Sequence, residues 1–458
     1  MNAVLINPYE LGRQSFGLAH PAARLRTRGH TVHCIDLSVQ RLSDAPLAAA
    51  QLIGIQLAMH TATRIAGEAL PKIRAMAPQA HIVAYGLYAP VNESWLREQG
   101  VNSVLGGEFE TELEALATAL EQGQEPAAPA RAPVSFIIPD RSGLTPLAQH
   151  ARLRLAGGGE VTMGFAETTR GCKHLCRHCP VVPVYQGRFI PIPVEVVMSD
   201  IRAQVAAGAE HISFGDPDFF NGPGHAQRVL RAMHAEFPGL TFDAVIKVEH
   251  LLKYRKRLPL LKETGCRFII SAVESVDDTI LAHLAKNHTR DDFFAITRLL
   301  NELRIGFAPT FVAFTPWTTL EGYLQLLRDL VTLSLVESVP PIQLAIRLLI
   351  PNRSHLFNIK GFAELVKAFD PTMLGYPWVH RDGRVDELQA QLQTTVEQAY
   401  TSGLTRAQTF TRIWQIAHDA AGHPAPPLHE RYLGAPIAHH TENWYCCAEP
   451  TAQQLSGF

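Results

Sequence analysis

The chain has 458 residues, of which 47% are hydrophobic, and its 41 basic and 43 acidic residues leave a formal net charge of -2. This length predicts two or three domains, each able to bury its own core, and the near-neutral charge argues against nucleic acid or an anionic membrane as a partner. No apolar run approaches the roughly 20 residues of a membrane span, and the N-terminus lacks a signal-peptide pattern. We therefore expect a cytoplasmic protein that does not bind membranes.

Short apolar runs alternate with helical patterns over the first 120 residues. This rhythm predicts a parallel sheet with helices on both faces, which is a doubly wound α/β domain. A stretch rich in Pro and Ala follows and is typical of a linker. The predicted strands cover residues 3–8, 30–38, 52–59, 81–86 and 102–105.

A second alternation of strands and helices begins near residue 160. It predicts about six β/α units that close into a full or partial TIM-type barrel, a fold whose chemistry lies at the C-terminal ends of its strands. The predicted strands cover residues 161–168, 211–214, 241–246, 267–272, 307–314 and 342–349. We thus expect a doubly wound domain at residues 1–122, a linker at 123–159, a partial barrel at 160–355, and a helical region with an irregular tail at 356–458.

Three cysteines, Cys172, Cys176 and Cys179, follow the first barrel strand at the spacing C-x3-C-x2-C. Three thiolates on one loop can hold three corners of an iron-sulfur cluster and leave the fourth position open for chemistry. A zinc knuckle completed by His174 or His178 is the alternative, and it would make the protein a non-catalytic binding module. The odd and clustered set of seven cysteines in the chain argues against a secreted disulfide framework.

The cysteine loop resembles the signature of the radical SAM superfamily, and the similarity extends over about residues 160–350. The resemblance implies that Cys172, Cys176 and Cys179 hold a [4Fe-4S] cluster whose open iron binds S-adenosylmethionine (SAM). It further implies reductive cleavage of SAM, fed by an electron donor such as flavodoxin or ferredoxin. The segment Lys-Asn-His-Thr at residues 286–289 parallels a further stretch of the family.

The same resemblance implies SAM contacts at successive strand ends. The family places a side chain for adenine before the last cysteine, an acidic segment for the amino group after the second strand, and a Glu-Ser pair near the ribose. A basic residue in the last strand could pair with the methionyl carboxylate. These positions correspond to His178, Asp216 or Asp218, Glu274 with Ser275, and Arg347. The ordinary alternatives are a solvent-facing histidine, an Asp-Pro turn and a structural salt bridge.

Residues 1–120 resemble the cobalamin-binding domain that precedes many radical SAM enzymes, on the stretches 17–37 and 105–113. No Asp-x-His-x-x-Gly pattern follows the first strand, so no histidine is expected to bind cobalt. We expect a domain that has kept this fold without its cofactor. Cobalamin held without a protein ligand is the alternative, and it would make the chain a methyltransferase or a rearrangement catalyst.

Two adjacent cysteines, Cys446 and Cys447, lie in the irregular tail. Two such thiolates could bind a thiophilic atom, act as a redox pair or ligate extra iron, and the alternative is an incidental pair. The ending resembles radical SAM proteins with a Cys-Cys-Ala-Glu-Pro tail, some of which carry selenocysteine at the second position. More loosely, the chain resembles the radical SAM enzyme of arsinothricin biosynthesis, which moves the 3-amino-3-carboxypropyl group of SAM onto arsenite. We therefore predict a transferase for a small, thiophilic substrate such as arsenite, with both cysteines folding back over the barrel mouth.

Overall fold

The computed structural model describes residues 1–125 and 134–442. Its N-terminal part is a five-stranded parallel sheet with the strand order β2-β1-β3-β4-β5. The strands are β1 (Asn2–Asn7), β2 (Thr31–Asp36), β3 (Leu52–Gln56), β4 (His81–Tyr85) and β5 (Ser103–Leu105), and the helices are α1 (Phe16–Thr27), α2 (Asp44–Ala48), α3 (His60–Met76), α4 (Glu93–Glu98) and α5 (Glu110–Glu121). The predicted doubly wound sheet is confirmed.

Helices cover both faces of this sheet, which explains why its strands are apolar without alternation. Val4 and Ile6 of β1 belong to the hydrophobic core on one face, and Ala3 and Leu5 belong to the core on the other. All five residues of β3, the central strand, are buried. The last residue of each strand is also buried, so the carboxyl-terminal end of the sheet is covered by the protein.

The second sheet has seven strands in the order β13-β12-β11-β10-β7-β6-β14. Five of them, β7 and β10 to β13, are mutually parallel. They form a curled half-barrel, which confirms the predicted partial barrel. The strands are β6 (Arg152–Arg154), β7 (Glu160–Ala166), β10 (His211–Phe214), β11 (Thr241–Val245), β12 (Cys266–Glu274), β13 (Gly306–Phe311) and β14 (His439–His440), with β8 (Thr169–Gly171) and β9 (Phe189–Pro191) forming a separate hairpin.

Ten helices accompany the half-barrel within the described residues. They are α6 (Val181–Tyr185), α7 (Val194–Ala206), α8 (Pro223–Glu236), α9 (Val248–Lys253), α10 (Leu258–Glu263), α11 (Asp278–His283), α12 (Arg290–Glu302), α13 (Leu320–Thr332), α14 (Gly383–Thr401) and α15 (Arg406–Ala421). Helix α12 begins at a capping box, in which Thr289 and Asp292 satisfy each other's backbone amides. Within residues 1–125 and 134–442, no helix combines the length and hydropathy that a membrane span requires.

The prediction of a sixth strand at residues 342–349 is wrong. That stretch begins with a 3-10 turn, Pro341–Leu344, and pairs with the sheet only through a single bridge between Phe314 and Arg347. Two prolines precede it and cannot donate to a ladder. The side chain of Gln343 instead accepts the backbone amide of Phe311 at 3.1 Å, so a side chain partly replaces the missing strand.

The two faces of the half-barrel are packed differently. Phe242 and Ile269 point outward into the large core beneath the helices. Leu153, Phe268 and Ile270 form a smaller apolar cluster on the inner face, which we call the lumen. The carboxyl ends of the parallel strands surround the upper end of this lumen, where the cysteine loop lies.

Candidate active site

The cysteine loop lies between the two strands of the β8-β9 hairpin, just after β7. Cys176 is buried, Cys172 and Cys179 are half-buried, and none of the three forms a disulfide with another described residue. Burial raises the pKa of the Cys172 thiol to about 12, so the thiolate that binds metal needs a compensating cation. Three cysteine side chains on one loop fit an iron-sulfur cluster with one open position.

His174 and His178, which could complete a zinc knuckle, are both engaged elsewhere. His174 donates from Nε2 to Asp218 at 2.9 Å, and His178 donates from Nε2 to Glu274 at 3.0 Å. A structural zinc site needs a fourth ligand free to face the cysteines. Lys247 lies 3.4 Å from the other nitrogen of His174, so both nitrogens of that ring have neighbours, whereas Nδ1 of His178 has no partner within the described residues. The contacts therefore argue against His174 as a zinc ligand and leave Nδ1 of His178 available to a ligand or a metal.

Asp216, at the end of β10, is tied to the turn that precedes the cysteine loop. Its carboxylate accepts hydrogen bonds from the amide of Thr168 at 3.0 Å and from the hydroxyls of Thr168 and Thr169 at 2.7 and 2.6 Å. Burial raises its pKa to about 6, while these hydrogen bonds oppose that rise. Asp216 thus holds the end of β7 in place from the neighbouring strand.

Asp218 holds the loop itself. Its Oδ2 atom lies 2.9 Å from Nε2 of His174 and 2.6 Å from Nδ1 of His250, and its Oδ1 accepts the amide of Phe220 at 2.9 Å. Lys247 lies on the other side of the His174 ring, 3.4 Å from Nδ1. Asp216 and Asp218, the residues predicted to contact the amino group of SAM, therefore lie beside the loop. Their carboxylate oxygens are already hydrogen-bonded within the protein.

Glu274, at the end of β12, contacts the cysteine loop through His178. It has a φ of 71°, a left-handed conformation that is uncommon for a non-glycine residue, at an irregularity in the strand. Burial would raise its pKa, but Lys286 and His178 lower it to about 2. The strained backbone and the charged partners fix an ionised carboxylate at the mouth of the lumen.

Lys286 and His288 belong to this site, although they were not among the predicted contact residues. Lys286 donates to Glu274 at 3.4 Å, and the charges of Glu274, Cys176 and Cys179 raise its pKa against the effect of burial. The segment 286–289, which carries both residues, resembles a stretch of the radical SAM superfamily, and this resemblance is the signal that the sequence offers. The contact with Glu274 is visible only in the fold, because the chain returns to the cysteine loop after helix α11.

Three buried ring nitrogens lack partners at this site within the part of the chain that the structure describes. Both nitrogens of His288 and Nδ1 of His178 make no hydrogen bond there. Buried polar atoms are nearly always paired, so unsatisfied ones beside a cleft indicate a missing ligand. A polar ligand with several donors and acceptors, such as SAM, fits this requirement.

A cleft of about 300 Å³ opens beside Glu274 and Ser275, with Val276, Val312 and Ala313 among its lining residues. Apolar walls next to a carboxylate suit a flat heterocycle joined to a sugar. Glu274 and Ser275, which are adjacent in the chain, both line this cleft.

Arg347 occupies a different environment from the one expected. Its guanidinium forms an ion pair with Asp386 at 2.7 Å, donates to the carbonyl of Trp378 at 2.6 Å, and stacks over that ring at 3.7 Å. These contacts correspond to the structural salt bridge that the sequence left open. The two tail cysteines, Cys446 and Cys447, lie outside the described residues.

The carboxyl-terminal end of the N-terminal sheet is filled by its own side chains. Gln56 bonds to Ser15 at 2.6 Å and to Glu10 at 3.3 Å, and it sits where a side chain on Gly17 would project. A cavity of about 190 Å³ remains there, with Leu18 in its lining. This is smaller than the roughly 300 Å³ of the smallest ordinary ligand sites, so the residues present do not fit a corrinoid.

One cation connects the N-terminal sheet to the cysteine loop. Arg170, in β8, forms ion pairs with Glu110 of α5 and with Glu167. Its guanidinium lies 5.5, 5.4 and 5.2 Å from the ring centres of Phe16, Phe109 and Phe136. The N-terminal domain thus clamps the strand that enters the cysteine loop two residues later.

Residues 166–318 match the model of the radical SAM superfamily. The chain is 32% identical over 148 residues to a tRNA-2-methylthio-N(6)-dimethylallyladenosine synthase of Chlorobium phaeovibrioides (strain DSM 265 / 1930), covering 30% of this chain and 29% of that protein. It is 25% identical over 185 residues to the enzyme of the same name from Desulfosudis oleivorans (strain DSM 6200 / JCM 39069 / Hxd3), covering 38% of each. The chain thus matches well under half the length of these relatives.

The fold is similar to that of two cobalamin-dependent enzymes. Against the radical SAM methyltransferase TsrM from Kitasatospora setae, with cobalamin and a [4Fe-4S] cluster bound, the TM-score is 0.57 at 18% identity, over 72% of this chain and 70% of that one. Against the radical enzyme OxsB, with aqua-cobalamin and SAM bound, it is 0.64 at 14% identity, over 87% and 67%. At these identities the likeness shows the fold alone.

Proposed function

We propose that this chain, which carries a radical SAM domain at residues 166–318, is a transferase that reductively cleaves SAM and delivers a fragment of it to a small, thiophilic substrate. Such a domain implies a [4Fe-4S] cluster and SAM as cofactors, and the bound cluster would supply the electron that breaks a C-S bond. The observation that carries the proposal is the loop of three cysteines beside the ionised carboxylate of Glu274, which His178 of that loop contacts.

The residues around the loop have separate tasks. Cys172, Cys176 and Cys179 hold the cluster, and the buried ammonium of Lys286 offsets the negative charge of the thiolates. Glu274 accepts the ribose hydroxyls, because one carboxylate can accept both O-H bonds of a cis-diol.

Three further residues complete the proposed SAM pocket. His178 and His288 supply the ring nitrogens that lack partners within the described residues. Ser275 lines the apolar cleft in which the adenine lies. Asp216 and Asp218 position the loop through the hydrogen bonds described above.

The direction of the C-terminal segment supports a role for Cys446 and Cys447. Strand β14 is antiparallel to β6, which is antiparallel to β7, so it runs the same way as β7 toward the cysteine loop. Glu442, the last described residue, stands level with Met163, three residues below the end of β7.

The remaining height is about 10 Å at about 3.3 Å per strand residue. Cys446 and Cys447 follow Glu442 after four and five residues, and an extended chain spans about 3.3–3.6 Å per residue. The segment is long enough to bring both thiols to the mouth of the lumen, where they would hold the substrate.

Arsenite is the test substrate, because paired thiolates bind soft, thiophilic atoms. Transfer of the 3-amino-3-carboxypropyl group breaks the C-S bond of SAM and forms an As-C bond. Arsenic(III) provides the electron pair of the new bond and becomes arsenic(V), while methylthioadenosine leaves. The single electron that the cluster would lend to C-S cleavage would be returned once the As-C bond has formed, so the overall transfer consumes no electrons.

The test is an anaerobic reconstitution with iron and sulfide, followed by dithionite, SAM and arsenite. We expect methylthioadenosine together with an alkylated arsenic product. The Cys172→Ala variant is the negative control, and Cys34→Ala, whose thiol lies in the N-terminal sheet, is the matched positive control. Absence of both methylthioadenosine and 5′-deoxyadenosine from the reconstituted protein, or purification with zinc and without iron or labile sulfide, would refute SAM cleavage.

A cobalamin-dependent methyltransferase is the second candidate, favoured by the likeness to TsrM and OxsB over most of this chain. The filled end of the N-terminal sheet argues against it. Discrimination requires only that the protein be incubated with hydroxocobalamin and passed through a gel-filtration column. Visible corrinoid absorbance in the protein peak would support the cobalamin-dependent methyltransferase. Absence of that absorbance would support the transferase proposed first.

A further inference from the structure

Three side chains that can bind metal converge at the lower end of the lumen, opposite the cysteine loop. They are His211, the first residue of β10, Asp243 of β11, and His440, the last residue of β14. Strand β14 brings its histidine there by pairing with β6 at the edge of the sheet. None of the three residues belongs to the cysteine loop or to the proposed SAM pocket.

Both imidazoles direct the same ring nitrogen at one carboxylate oxygen. Nε2 of His440 lies 2.8 Å from Oδ2 of Asp243, and Nε2 of His211 lies 3.0 Å from the same atom. The three potential ligand atoms all lie within 4.8 Å of one another. The ligand atoms of a tetrahedral zinc ion are about 3.3 Å apart, so small movements of these side chains would admit the ion.

The hydrogen bonds around His211 place its proton on the nitrogen that faces away from Asp243. The hydroxyl of Thr241 donates to the carbonyl of Glu210 at 3.4 Å, so its oxygen accepts from Nδ1 of His211 at 2.8 Å. Burial lowers the pKa of His211 more than Asp243 raises it, which disfavours a second proton on the ring. The neutral ring then presents an unprotonated Nε2 to a carboxylate oxygen, and a cation bound by both atoms removes their repulsion.

Neighbouring groups hold the three side chains in this arrangement. Ser213 donates to the second oxygen of Asp243 at 3.1 Å. The ring of Phe268 stacks parallel to His211 and packs edge-on against His440, with 6.4 and 5.5 Å between the ring centres. His211 and Asp243 are at most 1% exposed, and His440 is 9% exposed. Contacts of this kind orient metal ligands in proteins, so the site is formed in advance of the ion.

We propose that His211, Asp243 and His440 bind a divalent transition metal, best matched by zinc, at the lower end of the lumen. Two imidazoles and one carboxylate suit zinc, whereas magnesium and calcium prefer ligands that are all oxygen. Three protein ligands leave a fourth position of the ion for water or a small ligand. The ion joins strand β14 to β10 and β11, and the SAM chemistry proposed above does not require it.

The test measures zinc binding by the reconstituted holoenzyme, in which the iron-sulfur cluster occupies the cysteine loop. The protein is dialysed against zinc sulfate and passed through a gel-filtration column, and its zinc and iron are measured by mass spectrometry. We expect wild type to retain one zinc ion per chain more than His440→Ala, Asp243→Asn or His211→Ala. His439→Ala is the matched control and should retain the ion, because Nδ1 of His439 bonds to the carbonyl of Ile437.

X-ray absorption at the zinc edge identifies the ligands in the wild-type protein, so this measurement does not depend on the folding of any variant. We expect nitrogen and oxygen neighbours at about 2.0–2.2 Å and no sulfur at about 2.3 Å. A sulfur neighbour would overturn the inference, because it would place the zinc on cysteines. Equal zinc in wild type and His440→Ala would overturn it as well. Zinc bound at this site by a protein that holds iron but does not cleave SAM would refute the proposed function alone.

Discussion

His178 donates a hydrogen bond to Glu274 at 3.0 Å, although 96 positions separate the two residues in the chain. One residue lies in the cysteine loop and the other ends the fourth parallel strand of the half-barrel. Through this contact, the position of the proposed ribose carboxylate depends on the loop that would hold the cluster. The contact can be tested by substitution.

Replacing Glu274 by Gln should weaken SAM binding about tenfold, because the amide keeps the shape and loses a charge-assisted hydrogen bond. Equilibrium dialysis of labelled SAM against the reconstituted protein measures the Kd. Glu263→Gln, on an exposed position of α10, is the matched control and should bind as the wild type does. Wild-type affinity in Glu274→Gln would assign the ribose to another residue.

Removing one loop thiol should abolish the cluster. Cys176→Ala leaves two ligands, and we expect the iron content to fall from about four atoms to below one per chain, with loss of the visible absorbance. Cys34→Ala should retain full iron. Iron retained by the Cys176→Ala protein would mean that the cluster is bound elsewhere.

Removing Glu110 should destabilise the fold, since it leaves the buried Arg170 without its main counter-charge. The expected loss for Glu110→Ala is about 3–5 kcal/mol in the free energy of unfolding. Urea denaturation followed by circular dichroism provides the measurement. Glu121→Gln, which changes an exposed carboxylate paired with the N-terminal amine, should change stability by less than about 1 kcal/mol.

The lowered pKa of Glu110 predicts that the protein loses stability in acid. Burial would raise the pKa of Glu110, but Arg170 and His20 lower it from 4.5 to about 2. A depressed carboxyl pKa stabilises the fold above pH 4.5, and that stability is lost as the pH falls from 4.5 toward 2. The full effect is about 3 kcal/mol. Urea midpoints between pH 5 and pH 3 should fall more steeply for wild type than for Glu110→Gln, and parallel curves would contradict the assignment.

Deleting residues 443–458 should separate SAM cleavage from transfer. We expect the truncated protein to keep its cluster and to bind SAM, while formation of the alkylated arsenic product falls at least a hundredfold. Cys447→Ser should reproduce this loss, because a hydroxyl is a poor ligand for a thiophilic atom. Product formation at the wild-type rate by either protein would remove the tail from the mechanism.

Features that depend on neighbouring residues could be predicted from the sequence. The cysteine spacing and the strand that leads into it are local, and the hydrophobic pattern located both sheets. Arg347 shows where this reasoning ends, because its partner Asp386 lies 39 positions away and no local pattern reveals it. The sixth predicted strand is absent for a similar reason. Residues 342–349 are apolar, as a strand would be, but they follow two prolines and pack into the core without pairing as a strand.

The pairing of the C-terminal segment was also beyond sequence reasoning. Strand β14 contains only two residues, too few for any periodicity, and it pairs with β6, which lies almost 300 positions earlier in the chain. His440 belongs to a pair of histidines that look alike in the sequence. Only the closure of the sheet determines which of them meets Asp243.

Arg170 has a practical consequence for anyone who would excise the half-barrel of this protein. A fragment that starts at residue 160, after the linker, would keep Arg170 but lose Glu110, Phe16, Phe109 and Phe136. A buried cation deprived of its main counter-charge costs about 3–5 kcal/mol, a large share of the stability of an ordinary domain. The half-barrel is therefore not a portable module, and its cysteine loop should order correctly only when it is made together with the sheet that precedes it.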